Sequence, residues 1–324
     1  SRLVPRLIVG VGVVCLATYV AAIVLFPKAS GRVVTGDATH QFVQLRSAVF
    51  DRDLHFQNEY VHLYGLQNGA VEGTEWIFTE LTPTGHVRNY MPVGPAMLWA
   101  PLYLLVSGLL LGWAAITGGA APTGFESTLQ LTAGMTGLIA STVAAWITWR
   151  WIDGTHARAG AAWAIAGMWL GSHALYYTLV SPTYSHAPSM LTGAAFFAHW
   201  WGWRSAPTLR ALFVAGLLAG AAALMRWQDG LWLLVVMIEV LRWRTTWAQR
   251  VRGAALAAAG WLLVFSPQMG VWYVLYGQAF TVPQGAAFME WWSPNLLDML
   301  VSDNHGLLSW TPMVALALWG LWTL

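Results

Sequence analysis

Asp37 is the first residue in the chain that could do chemistry. It stands in Thr35-Gly36-Asp37, shortly after an N-terminal apolar run. That position keeps its carboxylate near the lipid headgroups, where it could take a proton from an acceptor hydroxyl as a general base. The same residue could cap a helix, because an aspartate side chain accepts from the free N–H groups of a first turn. Asp51-Arg52-Asp53 and Glu59 form a second acidic group. It could hold a metal or sugar hydroxyls, but its spacing fits no EF-hand or zinc pattern, and a solvated turn with local ion pairing is the simpler reading. His86, Arg88, Asn89 and Tyr90 precede Pro92 and Pro95 at the start of an apolar stretch. Arg88 there could grip a phosphate through two parallel hydrogen bonds, or simply anchor the chain at the interface. Arg226 and Asp229 interrupt an apolar region in Arg226-Trp-Gln-Asp229-Gly230. Charges so placed are costly unless they satisfy one another or serve a ligand, and Arg226 could contact an anion. His186 and His305 lie at helix ends, where single histidines are usually structural. The histidines of residues 28–93 show no HxxxH or HxH spacing, so the sequence gives no metal cluster. Trp291-Trp292 could stack on a sugar ring or anchor at the interface.

The composition says what kind of elements must hold these residues. The chain of 324 residues is 57% hydrophobic and 9% charged, with 22 Trp. Soluble domains average about 25% charged residues, so the expectation is an all-α integral membrane protein, a single membrane domain over 1–324. A net charge of +2 and the lack of a basic run exclude a nucleic-acid partner. The single cysteine, Cys15, permits no intramolecular disulfide. There is no Asn-x-Ser/Thr sequon, which disfavours a glycosylated secretory-pathway protein.

Residues 7–26 follow Arg2 and Arg6 and exceed the roughly 7–15 residues of a signal-peptide core, so they read as a retained first helix. Further apolar runs occupy 94–117, 127–149, 159–180, 186–203, 254–275 and 307–324, the last stopping as a truncated chain would. Two shorter runs, 211–225 and 230–241, flank Arg226–Gly230 and read as a hairpin with its polar tip facing a cavity within the membrane. The expected total is about seven to nine membrane helices.

Residues 28–93 carry seven of the fourteen acidic residues and four of the nine histidines, and read as the first extracytoplasmic loop. Within it Ala38, Phe42, Leu45 and Val49 form one apolar stripe, with Asp37, His40, Gln41 and Gln44 opposite. That pattern predicts an interfacial helix whose polar face lines a cavity. Arg2/Arg6, Arg204/Arg210 and Arg242/Arg244/Arg250/Arg252 read as cytoplasmic. The 28–93 loop, the Ser181–Ser189 turn, the 226–230 tip and residues 276–306 then lie outside. Arg150 and Arg158 break the alternation, so either one element between 94 and 180 is re-entrant or the rule fails locally.

The order of a first helix, then Thr35-Gly-Asp37-Ala-Thr-His-Gln-Phe-Val-Gln-Leu-Arg-Ser-Ala-Val-Phe-Asp51-Arg-Asp53-Leu, then a proline-rich approach to the next helix resembles the polytopic GT-C glycosyltransferases. It is most similar to their protein O-mannosyltransferase and aminoarabinose lipid A transferase branch. The resemblance implies that Asp37 matches the acid opening the interfacial helix and Asp53 the later acidic turn. Tyr90-Met-Pro-Val-Gly-Pro-Ala-Met-Leu-Trp-Ala-Pro101 resembles the family's Lys-Pro-Pro-Leu segment without its lysine. Arg226 is similar to the basic residue ending a Gly/Ala-rich helix, and His305-Gly-Leu-Leu-Ser-Trp-Thr-Pro312 looks like a segment of related bacterial proteins. Ala38 stands where the family has a second acid, which weakens a metal-dependent mechanism.

The resulting expectation is a GT-C-like helix bundle in a bacterial plasma membrane that moves a sugar from a polyprenyl-phosphate donor to a glycan, lipid or protein acceptor on the outer face. Asp37 is the base. Asp53, His86, Arg88, Tyr90, Arg226, Asp229 and His305 contact substrate. No cofactor is implied, with a divalent metal left open. A transporter or flippase for a lipid-linked glycan would use the same cations without a base, and a non-catalytic assembly subunit is the third reading; the lack of an inverted repeat disfavours transport.

Overall fold

The computed structural model describes residues 3–65, 76–154, 158–285, 288, 292–293, 295–304 and 306–323. Among them there is no β-strand, only a single bridge between Leu81 and Val87. Helix α1 spans Leu3–Leu25. The first loop folds into α2 (Asp37–Arg46), a π turn at Ser47–Asp51, α3 (Gln57–Tyr64) and α4 (Trp76–Thr79). Next come α5 (Gly94–Thr117) and α6 (Ser127–Asp153). Then follow α7 (Arg158–Leu170), the single turn α8 (His173–Leu175), and a π turn at Tyr176–Val180. Helices α9 (His186–Trp203) and α10 (Leu209–Met225) lead through a 3₁₀ turn at Trp227–Leu231 into α11 (Trp232–Arg242) and α12 (Trp247–Tyr276). The short α13 (Leu296–Val301), α14 (Leu307–Trp310) and α15 (Met313–Trp322) follow. Among the described residues, four helices, α1, α5, α6 and α12, are long and apolar enough to cross a membrane. Their apolar side chains are widely exposed, as on Val13, Leu109, Trp113 and Leu263, which suits lipid rather than water.

Two expected spans are broken. The apolar run 159–180 divides at Gly171-Ser172, because the Ser172 side chain accepts from the Ala174 N–H and caps α8. The run 307–324 divides at Thr311-Pro312, leaving the 10-residue α15, about 15 Å of helix and too short to span.

The arginine conflict has a structural answer. The Tyr103 hydroxyl, partway along α5, donates to the Gly124 carbonyl at 2.8 Å, so residues 118–124 run back alongside the helix they follow. Ser127 at the start of α6 then donates to the Gly31 carbonyl at 2.8 Å, and Gln130 Oε1 accepts from the N–H groups of Val33 and Val34. The chain thus returns to the face carrying the first loop before α6 begins. Helix α6 runs antiparallel to α1, with Tyr19 against Gly134 near one end and Ile8 with Ala145 and Trp149 near the other. Arg150 therefore shares a face with the start of α1, as does Arg204, whose neighbour Trp201 meets Trp151. The break in the alternation coincides with α5 and the segment 118–124 that returns beside it.

Helix α2 forms where the apolar stripe requires it, and Ala38, Phe42 and Leu45 are buried in a core shared with Trp99 and Tyr103 of α5. Its other side is enclosed as well, contrary to the expectation of an open polar face. Gln41 and Gln44 are buried, and Gln44 donates to the Met91 carbonyl at 3.0 Å. The strand leading to α5 covers that face, because Asn89 donates to the His40 carbonyl at 2.7 Å. A second core joins α9, α10, α11 and α12 around Phe196, Leu212, Ala215, Val236 and Ala257. Gly94 ties the two together: a β-carbon there would lie 2.1 Å from the Leu224 carbonyl oxygen. Only glycine lets the start of α5 approach the end of α10 so closely.

Candidate active site

Arg226 ends α10 in extended backbone, φ −148° and ψ 125°, which turns its side chain off the helix axis. The guanidinium is half-buried and donates to His186, the first residue of α9. A ring nitrogen facing a guanidinium must accept, so that imidazole is neutral there. The His186 ring lies flat on Tyr177, centroids 3.7 Å apart at 16°, and meets Tyr184 edge-on at 6.4 Å. Asp229, one turn beyond Arg226, accepts from Ser189 of α9 at 2.5 Å. Arg226 and Asp229 therefore do not satisfy one another; each is held by a different residue of α9.

Asp37 completes the group. Helix α2 begins on it, with Gly36 preceding at φ 55° and no side-chain cap. The capping role is thus not taken, and the carboxylate sits in the first turn where the helix dipole favours negative charge. Gly36 is required twice: its φ is left-handed, and a β-carbon would lie 2.3 Å from the Tyr184 hydroxyl. Burial by surrounding groups pushes the Asp37 pKa up, while the Arg226 charge pulls it back down. Among the described residues, Asp37 and Arg226 form no ion pair, and no hydrogen bond to the Asp37 carboxylate is present. The two opposite charges interact through space without direct contact.

The remaining expected site residues fall elsewhere. Asp53 accepts from Ser47 Oγ at 2.7 Å and from the His55 N–H at 3.1 Å. His86 stacks on His55 with centroids 4.3 Å apart, beside Asp53 in an open hollow that Val274 also lines. Arg88 pairs with Glu80 at 3.0 Å and donates to the Tyr90 hydroxyl at 3.3 Å, so the interfacial phosphate clamp expected of it is already occupied by a carboxylate. His305 and Trp291 lie outside the described residues, whereas Trp292 is fully exposed. The local pairing expected within Asp51-Arg52-Asp53 is replaced by a longer one. Arg46 binds both Asp51 and the fully buried Glu59, the latter at 2.9 Å. Arg52 instead ends the π turn in left-handed backbone. Ala38, the residue after Asp37, is completely buried, so Asp37 has no neighbouring acid in the chain.

Sequence reasoning passed over Tyr177, Tyr184, Ser189 and Arg32. Tyr184 lay in plain view, two residues before His186. Tyr177 was hidden in an apolar run, which the break at Gly171-Ser172 interrupts just before it. Arg32 donates to Thr39 at 3.2 Å and covers the Tyr64 ring at 5.0 Å. It lines a cavity of about 640 Å³ with His62, Tyr64 and Phe125. Among the described residues, no group of three His, Cys, Asp or Glu side chains is placed to hold a metal. No protein-family model, curated protein or solved structure matches the chain.

Proposed function

We propose that this chain is a GT-C-like glycosyltransferase of a bacterial plasma membrane, moving a sugar from a polyprenyl-phosphate donor to an acceptor at the extracytoplasmic face. One observation supports the reading: the Asp37 carboxylate, uncommitted among the described residues, lies close enough to Arg226 for the two charges to interact, with Tyr184 abutting Gly36 and His186 holding the guanidinium. Asp37 takes the proton of the acceptor hydroxyl as its oxygen bonds to the anomeric carbon. The bond from that carbon to the phosphate oxygen breaks, and the lipid phosphate leaves with the electron pair. Arg226 stabilises the charge that develops there. A lipid phosphate departs without a general acid, which suits a site with a single catalytic carboxylate. The helices running between the Asp37 face and the arginine-rich face provide the membrane bundle, and the Arg226 hairpin tip places the cation beside the donor phosphate. The cavity beside Arg32 offers room for an acceptor or donor headgroup.

The test is incorporation of radiolabel from a panel of polyprenyl-phosphate sugars by purified wild type and Asp37→Asn. Transfer by wild type and a loss of about 10²–10⁴-fold in the variant, the range of general-base catalysis, is the expected result. Equal turnover in the two would remove Asp37 from the chemistry. Inactivity of a folded wild type across the panel would favour transport of a lipid-linked glycan or a non-catalytic assembly role.

A further inference from the structure

The ends of α9, α10, α11 and α12 that lie away from Asp37 form a second site. Helices α9 and α10 are antiparallel, with His199 of one against the Ala211 carbonyl of the other at 3.0 Å. The 204–208 link therefore sits a full helix length from His186 and Arg226, about 25 Å. It meets the 242–246 link there, and the two enclose a cavity of about 450 Å³ lined by Arg204, Arg242 and Arg244, with Glu239 and Trp243 among its walls.

The charge in this cavity is unbalanced. Among the described residues, none of the three arginines forms an ion pair. The one carboxylate, Glu239, is buried and accepts from Trp200 Nε1 at 3.2 Å. Helices α10 and α12 both begin at this end, capped by Thr208 and Thr246, and add the positive ends of their dipoles. The Arg204 guanidinium lies 3.7 Å over the Trp201 ring, which fixes it beside indoles of the kind that settle at the membrane–water boundary. Three cations in a concavity at that level match a phosphodiester with its acyl chains in the bilayer.

We infer that this cavity binds the phosphate headgroup of an anionic membrane lipid, at a site separate from Asp37 and independent of the transferase reading. The test is native mass spectrometry of the whole chain released from micelles containing phosphatidylglycerol or phosphatidylcholine. Two double variants remove equal charge. Arg242→Gln/Arg244→Gln alters the cavity, whereas Arg210→Gln/Arg252→Gln alters exposed arginines that do not line it. Wild type should retain phosphatidylglycerol over phosphatidylcholine by about tenfold or more, at about 1 kcal/mol per engaged arginine. The cavity variant should lose that preference and the other should keep it, both with unchanged thermal unfolding. Equal retention of the two lipids, or equal loss in both variants, overturns the site. Displacement of the lipid by millimolar inorganic phosphate overturns the lipid assignment in favour of a free anion.

Discussion

Asp37 opens α2 and Arg226 closes α10, yet the charge of one acts on the carboxyl of the other without an ion pair between them. A carboxylate already locked to a guanidinium is a poor base, and a guanidinium already locked to a carboxylate is a poor phosphate ligand. Here each keeps its capacity.

The pairing has a pH signature. Arg226 lowers the Asp37 pKa against the effect of burial, so removing its charge raises that pKa further. A general base works deprotonated. Arg226→Gln should therefore shift the acidic limb of the rate profile to higher pH, besides weakening donor binding. A limb that stays in place or moves to lower pH would separate the two residues.

Gly36→Ala should be more harmful than its size implies. It forces a left-handed φ on alanine, costing about 1–2 kcal/mol, and drives a methyl toward the Tyr184 hydroxyl. Adding Tyr184→Phe removes the oxygen but not the backbone strain. Thermal unfolding of the single and double variants should show partial recovery; none at all would mean that the contact is unimportant.

Arg46 is the only partner of the Glu59 carboxylate within ion-pair distance among the described residues. Arg46→Leu should destabilise the first loop by about 3–5 kcal/mol by leaving a buried acid unpaired. Arg46→Leu/Glu59→Leu should recover much of that loss. Unfolding measured by amide hydrogen exchange within α2 and α3 would register both.

Two buried groups in this loop oppose one another with pH. Burial lowers the His40 pKa from 6.5 to about 4. Its contribution is therefore present above 6.5 and lost as pH falls through 4. Burial raises the Glu59 pKa from 4.5 to about 7, outweighing Arg46. Its contribution is full below 4.5 and lost as pH rises through 7. Across that window the two offset. His40→Gln should expose the Glu59 slope, with Tm rising as pH falls, and Glu59→Gln the reverse slope. The same slope in both variants would show that neither group governs it.

How much of this was legible follows from what each signal measures. Residues 94–117 and 186–203 form helices with the expected bounds because their apolar runs end at turn formers. Apolar length does not distinguish a crossing from a return, however. The return after α5 depends on Tyr103 reaching Gly124, a tertiary contact without periodic trace. The stripe of α2 was readable, but burial of Gln41 and Gln44 was not, since the covering strand arrives from Asn89 and Met91. Asp37 and Arg226 were each identifiable as charges out of place; their proximity is tertiary and has no trace in the local sequence.

Three hydrogen bonds fasten the first loop to α12: Thr84 to the Leu275 carbonyl, the Val93 N–H to Gln268 at 2.8 Å, and Tyr276 to the Asn89 carbonyl at 3.0 Å. At about 1 kcal/mol net each, they add about 3 kcal/mol to the apolar packing of Val93, Val271 and Leu275 along the same edge, which keeps it closed. The seam also makes α12 the support of the segment that covers α2: a displacement of that helix would carry residues 89–93 with it, through Gln268 and Tyr276.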